Sequence, residues 1–177
     1  DKFYKSGFKI ILIGHKNHPE VEGTMGQLPG DSIYLVETIK DISELNFYED
    51  DKIAYVTQTT LSVDDTQDMI AELRNKFPNI ESSPKEDICY ATSNRQNAIK
   101  EYANKCDAFI VVGSKNSSNS NRLVEVAKNA GCFNSYLLEN AESLNVSNYS
   151  SYNTIGISSG ASVPEVLVKN VISKFQE

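Results

Sequence analysis

The stretch Ala108-Phe-Ile-Val-Val-Gly-Ser-Lys-Asn-Ser-Ser-Asn-Ser-Asn-Arg-Leu123 decides how the chain can fold. Its apolar first part, Ala108 to Val112, is typical of a buried strand, and Leu123 to Ala130 has the spacing of a helix. Between them lies a segment of four serines and three asparagines, the Ser/Asn turn (residues 114–121). These side chains cap helices, and their small size leaves backbone N–H groups open to a ligand.

The Ser/Asn turn predicts a binding site for phosphate. A strand, a polar turn and a helix in succession bring the partial positive end of the helix to the carboxyl edge of a sheet, where an anion is stabilised. A surface loop with good helix capping is the alternative, and this stretch alone leaves both open. A similar turn recurs at Ser158-Ser-Gly-Ala-Ser162, which favours the binding site.

Apolar runs alternate with helical patterns along the whole chain. Besides residues 108–112, the predicted strands are Phe8 to Ile13, Ser32 to Val36, Lys52 to Val56, a short one from Asp87, Asn134 to Leu138, and Thr154 to Ile157. Five strand-turn-helix units in 177 residues imply parallel sheets with crossover helices. The predicted fold is therefore α/β, with tandem small parallel-sheet units and flanking helices.

Capping residues predict where the helices begin. Pro19 suits a first helical position, Ser62 with Asp65 resembles a capping box, and Thr92 or Ser93 and then Ser162 are candidate N-caps. Glu37 to Leu45 predicts a short surface helix, Gly131 a helix end, and Glu139 to Ser151 a polar loop. Pro78 and Pro84, with Ser82 and Ser83 between them, indicate a boundary between two units.

Composition excludes several classes of protein. The net charge of −7 argues against a nucleic-acid surface or an anionic-membrane anchor, and the 40% hydrophobic content is adequate for a packed core. No apolar run approaches the ~20 residues of a membrane span, and the first residues lack the apolar core of a signal peptide. The three cysteines form no CxxC and cannot all pair, which suits a reducing compartment.

His18 and Glu20 are candidate catalytic residues. An imidazole and a carboxylate two residues apart share one turn at the predicted sheet edge, where they can bind a ligand hydroxyl and transfer a proton. A solvated loop histidine is the other interpretation of His18. His15 is interpreted as a supporting or structural residue.

Cys89 precedes a predicted helix N-terminus, a position that favours the thiolate needed for metal binding or nucleophilic attack. A small buried hydrophobe is the alternative for an isolated cysteine. Cys106 and Cys132 lie away from the predicted ligand edge and are assigned to structure. Lys115 and Arg122 are candidates for attracting phosphate or are solvated turn charges.

Several long motifs together resemble the LytB/IspH family over essentially the whole chain. They are Gly14-His-Lys-Asn-His-Pro-Glu-Val-Glu-Gly-Thr-Met-Gly-Gln27, Thr57-Gln-Thr-Thr-Leu-Ser-Val-Asp-Asp65, Asp87-Ile-Cys-Tyr-Ala-Thr92, Gly113-Ser-Lys-Asn-Ser-Ser-Asn-Ser-Asn-Arg-Leu123 and Gly160-Ala-Ser162. The resemblance implies a [4Fe-4S] reductase of the non-mevalonate isoprenoid pathway. Such an enzyme converts 4-hydroxy-3-methylbut-2-enyl diphosphate to isopentenyl and dimethylallyl diphosphates, with electrons from a ferredoxin- or flavodoxin-type donor.

The resemblance also implies roles for individual residues. Glu20 matches the family's proton donor, His18 a histidine of the diphosphate site and proton relay, and Thr59 the threonine that contacts the substrate hydroxyl. Cys89 matches one of three cluster cysteines. The residues that match the diphosphate site are Ser117, Ser118, Asn119 and Ser162.

The family's other two cluster cysteines belong to an N-terminal portion that we expect to be missing here. The implied organisation is a second α/β unit at 1–84, a third at 85–158, and a C-terminal helix at 159–177 that packs towards the missing first unit. We expect this piece alone to be inactive and to expose an apolar face. The family implies the bacterial cytoplasm or a plastid, and the frequent Asn, Lys and Ile favour the plastid. A non-catalytic phosphate-binding module is the competing interpretation.

Overall fold

A computed structural model of the chain describes residues 2–82 and 88–177. The chain divides into two compact units, Asp1–Cys89 and Tyr90–Glu177. Each unit has its own parallel sheet with flanking helices, so the predicted α/β fold of tandem sheet units is confirmed. The boundary predicted between residues 84 and 85 lies outside the described residues.

The first unit holds a four-stranded parallel sheet in the order β2-β1-β3-β4. Its elements are α1 (Lys2–Lys5), β1 (Lys9–Ile13), α2 (Pro19–Met25), β2 (Ile33–Val36), α3 (Ile39–Glu44), β3 (Ile53–Thr57), α4 (Val63–Lys76) and β4 (Glu81–Ser82). Ile13 pairs with both Val36 and Thr57, so β1, β2 and β3 end at the same edge.

The β1 strand is buried on both faces, as parallel strands with crossover helices are. Because side chains alternate along a strand, Ile11 and Ile13 pack in one core with residues of α3 and α4. Ile10 and Leu12 point the other way and pack in a second core with Val21 of α2. This explains why the strand is a continuous apolar run.

Two predicted helix starts in the first unit are confirmed, and each has a polar side chain at its N-cap. His18 is the N-cap of α2 with Pro19 at the first helical position, and Ser62 Oγ accepts the Asp65 N–H at 3.4 Å. A full capping box at Thr38 and Asp41 was not predicted. There the Asp41 carboxylate accepts the N–H groups of Glu37 and Thr38, and these bonds lower the pKa of Asp41.

The second unit holds a three-stranded parallel sheet in the order β6-β5-β7. Its elements are α5 (Tyr90–Tyr102), a 3-10 turn (Ala103–Lys105), β5 (Ala108–Val112), α6 (Ser118–Asn129), β6 (Ser135–Leu138), two 3-10 turns (Ala141–Ser143 and Val146–Tyr149), β7 (Ile155–Ser159) and α7 (Glu165–Gln176). The predicted polar loop at 139–151 thus contains two short helical turns.

Every residue of β5 is buried, which makes this strand the centre of the second unit. Phe109 and Val111 pack in a core with Leu123 of α6. Ile110 and Val112 pack on the opposite face in a core with Val171 of α7. The C-terminal helix therefore lies against the sheet of its own unit, and its packing towards a further unit stays a prediction.

The prediction of a short strand from Asp87 is wrong at the residues that the structure describes, because Ile88 and Cys89 are not in a strand. Asp87 lies outside the described residues, and Cys89 is followed directly by α5, which begins at Tyr90. Thr92, a predicted N-cap, is inside this helix and buried on its inner face. A run of three or four apolar residues does not distinguish a strand from the first turn of a buried helix.

The N-cap predicted at Ser162 is also wrong. The α7 helix begins at Glu165, Pro164 holds the N-cap position, and no side chain caps the first amides there. A proline disfavours helical backbone at the residue before it, so Val163 cannot join the helix and the start moves beyond Ser162.

The helices are short and bury one face each. The α4 helix has 14 residues, of which Thr66, Met69 and Leu73 are buried, and α7 has 12 residues. Across residues 2–82 and 88–177, no helix combines the length and apolar character needed to cross a bilayer.

We expect Gly156→Ala to destabilise the second unit by about 1–3 kcal/mol, because overpacking a strand face has that cost. A Cβ at Gly156 would collide with the Phe109 ring and lie 3.0 Å from Cys106 Sγ. Gly23→Ala is the matched control, since no atom lies within 4 Å of its Cβ position and the residue is helical. Urea unfolding should show that this control is neutral or stabilising by up to about 1 kcal/mol. Equal losses for both variants would contradict the packing at Gly156.

Candidate functional site

The polar segments that follow β1 and β3 meet at the carboxyl edge of the first sheet. The register that pairs Ile13 with Thr57 continues for one more bond, because the Gln58 N–H donates to the Ile13 carbonyl at 2.8 Å. The segment carrying His18 and Glu20 and the segment carrying Thr59 are therefore neighbours.

Glu20 joins these two segments. Its backbone N–H donates to His18 Nδ1 at 3.2 Å, and its Oε1 accepts the Thr59 N–H at 2.9 Å. In the neutral His18 ring, an accepting Nδ1 puts the proton on Nε2. The imidazole and the carboxylate are thus each oriented by a backbone N–H group.

Thr59 extends the same chain of hydrogen bonds to Cys89. The Cys89 N–H donates to the Thr59 carbonyl at 3.4 Å, and the Cys89 side chain is exposed. Four residues singled out from the sequence, His18, Glu20, Thr59 and Cys89, are therefore brought together within the first unit.

Gln58 supports this arrangement and was missed by the sequence analysis. It is 2% exposed, its Oε1 accepts the His15 N–H at 3.0 Å, and its Nε2 donates to Thr60 Oγ1 at 2.8 Å. The buried amide thus holds the two polar segments together, and His15 takes part through its backbone. A large polar residue directly after an apolar strand was the available signal.

Glu20 and Thr59 line a cavity of about 270 Å³ in the first unit. Its other lining residues are Leu12, Val21, Thr24, Val56, Thr57 and Gln58. A larger cavity of about 800 Å³ also reaches Glu20, Thr24 and Val56, and its apolar lining includes Phe8, Ile10, Leu28 and Ile33. The carboxylate of Glu20 therefore stands where a small ligand with an apolar body could approach it.

The first turn of α6 holds the predicted phosphate residues of the second unit. Ser117 is the N-cap, and its Oγ accepts the Ser120 N–H at 3.2 Å. Ser118 and Asn119 follow within the first turn. Asn119 is 8% exposed, and its Oδ1 has no hydrogen-bond partner in the part of the chain that the structure describes. An unsatisfied buried acceptor costs about 1–3 kcal/mol. Only a group that donates a hydrogen bond to Oδ1 could recover this cost.

Two glycines allow the strand ends of the second unit to approach α6. A Cβ at either Gly113, after β5, or Gly160, after β7, would collide with Ser120 Oγ. The Gly160 N–H also donates to the Val112 carbonyl at 3.0 Å. Ser162 is exposed and lies two residues beyond Gly160. Because β7 pairs in parallel with β5, Ser162 follows β7 at the same edge of the sheet.

The cationic side chains near the Ser/Asn turn contribute little positive charge for binding an anion there. Arg122 forms an ion pair with Glu125, with 2.7 Å between the charged atoms. Lys115 is exposed, and its carbonyl accepts an Asn121 side-chain N–H at 2.8 Å. An anion at this turn would therefore be held mainly by amides and hydroxyls.

The described residues offer one accessible thiol for a metal. Within residues 2–82 and 88–177, no group of three His, Cys, Asp or Glu side chains could hold a metal ion. Cys132 is 2% exposed, and burial raises the pKa of Cys106, whose thiol donates to the Tyr102 carbonyl. These residues fit one ligand of a metal cluster, Cys89, and do not supply a complete set.

Known proteins match the chain along nearly its whole length. The family model described as LytB protein matches residues 1–176. A protein of Acinetobacter baumannii named 4-hydroxy-3-methylbut-2-enyl diphosphate reductase is 52% identical over 99% of this chain and 56% of its own length. A protein of the same name from Neisseria meningitidis is 56% identical over 95% of this chain and 52% of its own length.

Solved structures agree with these matches. The structure of E-1-hydroxy-2-methyl-but-2-enyl-4-diphosphate reductase from Plasmodium falciparum has a TM-score of 0.92 and 40% identity, over 99% of this chain and 55% of its own chain. A second structure, described as the terminal enzyme of the non-mevalonate pathway, has a TM-score of 0.56 and 34% identity, over 99% and 61% of the two chains. The chain thus spans about half the length of the curated relatives it matches, and it belongs to the LytB protein family.

Proposed function

We propose that the chain is part of an iron–sulfur oxidoreductase that acts on 4-hydroxy-3-methylbut-2-enyl diphosphate. The reaction is a two-electron reductive dehydroxylation that gives isopentenyl and dimethylallyl diphosphates in the non-mevalonate isoprenoid pathway. The observation that carries the proposal is the chain of hydrogen bonds from His18 through Glu20 and Thr59 to Cys89. It brings a proton-carrying group and a residue with an exposed thiol together within the first unit. The names of the relatives support the substrate.

Glu20 is the proposed proton donor to the leaving hydroxyl. The Thr59 N–H donates to Oε1, so Oε2 is the oxygen from which a proton would be transferred. The Thr59 hydroxyl binds the substrate oxygen, and His18 relays the second proton. His18 and Glu20 are each oriented by a backbone N–H group before the ligand arrives, which favours an efficient proton transfer.

The diphosphate group is assigned to Ser117, Ser118, Asn119 and Ser162. Hydroxyl and amide donors form charge-assisted hydrogen bonds to phosphoryl oxygens, and the N-terminus of the 12-residue α6 helix adds its partial positive charge. The position of Ser117, Ser118 and Asn119 at the start of α6 supports this assignment.

Cys89 is the proposed ligand of a [4Fe-4S] cluster that supplies the two electrons and Lewis acidity. The remaining cysteine ligands would come from a protein segment outside these 177 residues, and a ferredoxin- or flavodoxin-type protein would deliver the electrons. The 177-residue chain by itself would then be inactive. A plastid or the bacterial cytoplasm is the proposed compartment.

A non-catalytic phosphate-binding module is the second candidate, favoured by the uncharged donors of the Ser/Asn turn at the start of α6. Anaerobic reconstitution of the protein at the length of its relatives, with iron and sulfide, separates the two candidates. An iron–sulfur reductase should acquire iron, sulfide and visible absorbance, and a binding module should remain colourless.

In the reconstituted protein, Glu20→Gln should lower kcat by about 10²–10⁴-fold and change KM little, because a general acid acts in the transition state. Glu22→Gln is the matched control, since Glu22 lies exposed on the same helix. Steady-state kinetics with a chemical reductant measures both constants. Equal losses in kcat and in substrate affinity would exclude Glu20 as the acid.

Cys89 should react with a thiol reagent at least about tenfold faster than Cys106 and Cys132, because thiolate fraction and exposure set the rate. The raised pKa of Cys106 lowers its thiolate fraction, and Cys132 is buried. Stopped-flow labelling of the 177-residue chain should show one fast thiol, absent in Cys89→Ser and retained in Cys106→Ser. A fast phase that survives Cys89→Ser would contradict the assignment of Cys89 as the accessible ligand.

A further inference from the structure

We propose that Ser120 is a positioning residue that turns the Ser117 hydroxyl into an obligate hydrogen-bond donor, and thereby selects anionic oxygens at the Ser/Asn turn. The inference rests on the proposed phosphate site and adds to it a residue that does not itself contact the ligand. Ser120 is 1% exposed, so it acts through Ser117.

Both acceptor positions of the Ser117 hydroxyl are occupied by Ser120. The Ser120 N–H donates to Ser117 Oγ at 3.2 Å, and the Ser120 hydroxyl donates to the same atom at 3.1 Å. A hydroxyl has two lone pairs and one hydrogen. With both lone pairs engaged, the hydrogen of Ser117 is what remains for a ligand.

An obligate donor discriminates between ligands. It binds a phosphoryl oxygen and offers no acceptor to a ligand N–H or to a cation. The two bonds that Ser117 Oγ accepts also polarise its O–H group, which strengthens the bond it donates. Ser120 therefore sets the chemical class of ligand that Ser117 accepts.

The position of the Ser120 hydroxyl is fixed by the strand ends. Its Oγ occupies the space that a Cβ would need at both Gly113 and Gly160. The contact leaves the side chain little freedom to turn away from Ser117, so the donor is oriented before any ligand binds.

Helix capping alone does not account for the Ser120 hydroxyl. The cap needs only Ser117 Oγ and the Ser120 N–H, and both remain in a Ser120→Ala variant. That variant should therefore keep α6 intact while it frees one lone pair of Ser117.

Titration calorimetry of the 177-residue chain with inorganic pyrophosphate tests the proposal. Ser117→Ala should weaken binding by about tenfold, the effect of one hydrogen bond to a charged group. Ser120→Ala should weaken binding by a smaller factor, because Ser117 keeps its hydroxyl but loses its fixed orientation. Because Ser120 acts through Ser117, the double variant should bind no more weakly than Ser117→Ala alone. Unchanged affinity in Ser120→Ala, or losses that multiply in the double variant, would overturn the proposal.

Ser135→Ala is the matched control, because Ser135 is 3% exposed and its hydroxyl donates to the Cys132 carbonyl at the start of β6. It should lower thermal stability as Ser120→Ala does and leave pyrophosphate affinity unchanged. A wild-type chain that fails to bind pyrophosphate would reject the phosphate site itself, whereas normal wild-type binding with an unaffected Ser120→Ala would reject only the role of Ser120.

Discussion

Parallel strand pairing is the constraint on which the rest of this structure depends. In each unit the central strand is paired on both sides in the same direction, with β1 between β2 and β3, and β5 between β6 and β7. The carboxyl ends of three strands therefore share one edge, and each crossover helix starts from that edge. Polar residues that are far apart in the sequence become neighbours for this reason alone.

The contacts at these edges are few and specific. In the first unit, one carboxylate oxygen of Glu20 and the backbone of Thr59 connect an imidazole to an exposed thiol. In the second unit, Ser120 fills the space left by two glycines and bonds the N-cap of α6. The first arrangement uses backbone groups and one carboxylate, and the second uses a backbone N–H group and two hydroxyls.

Most of the fold follows from the sequence because strands such as Ala108–Val112 are continuous apolar runs with polar turns behind them. The errors have local physical causes: Pro164 displaces the start of α7 from Ser162, and the few apolar residues near Cys89 belong to a helix. The positions of His18 and Glu20 could be predicted from their turn. Gln58 and Ser120 could not, because their roles depend on tertiary contacts with other segments of the chain.

The central proposal is that the Ser/Asn turn binds a phosphorylated ligand, and it is supported by the geometry of the α6 N-terminus and by the names of the relatives. The most direct measurement is a titration of the isotopically labelled chain with pyrophosphate, followed by the chemical shifts of its backbone amides. The account predicts saturable shifts concentrated at residues 113–121 and at the segment after β7. Shifts confined to exposed lysines elsewhere, with the amides of Ser118 and Asn119 unmoved, would contradict it.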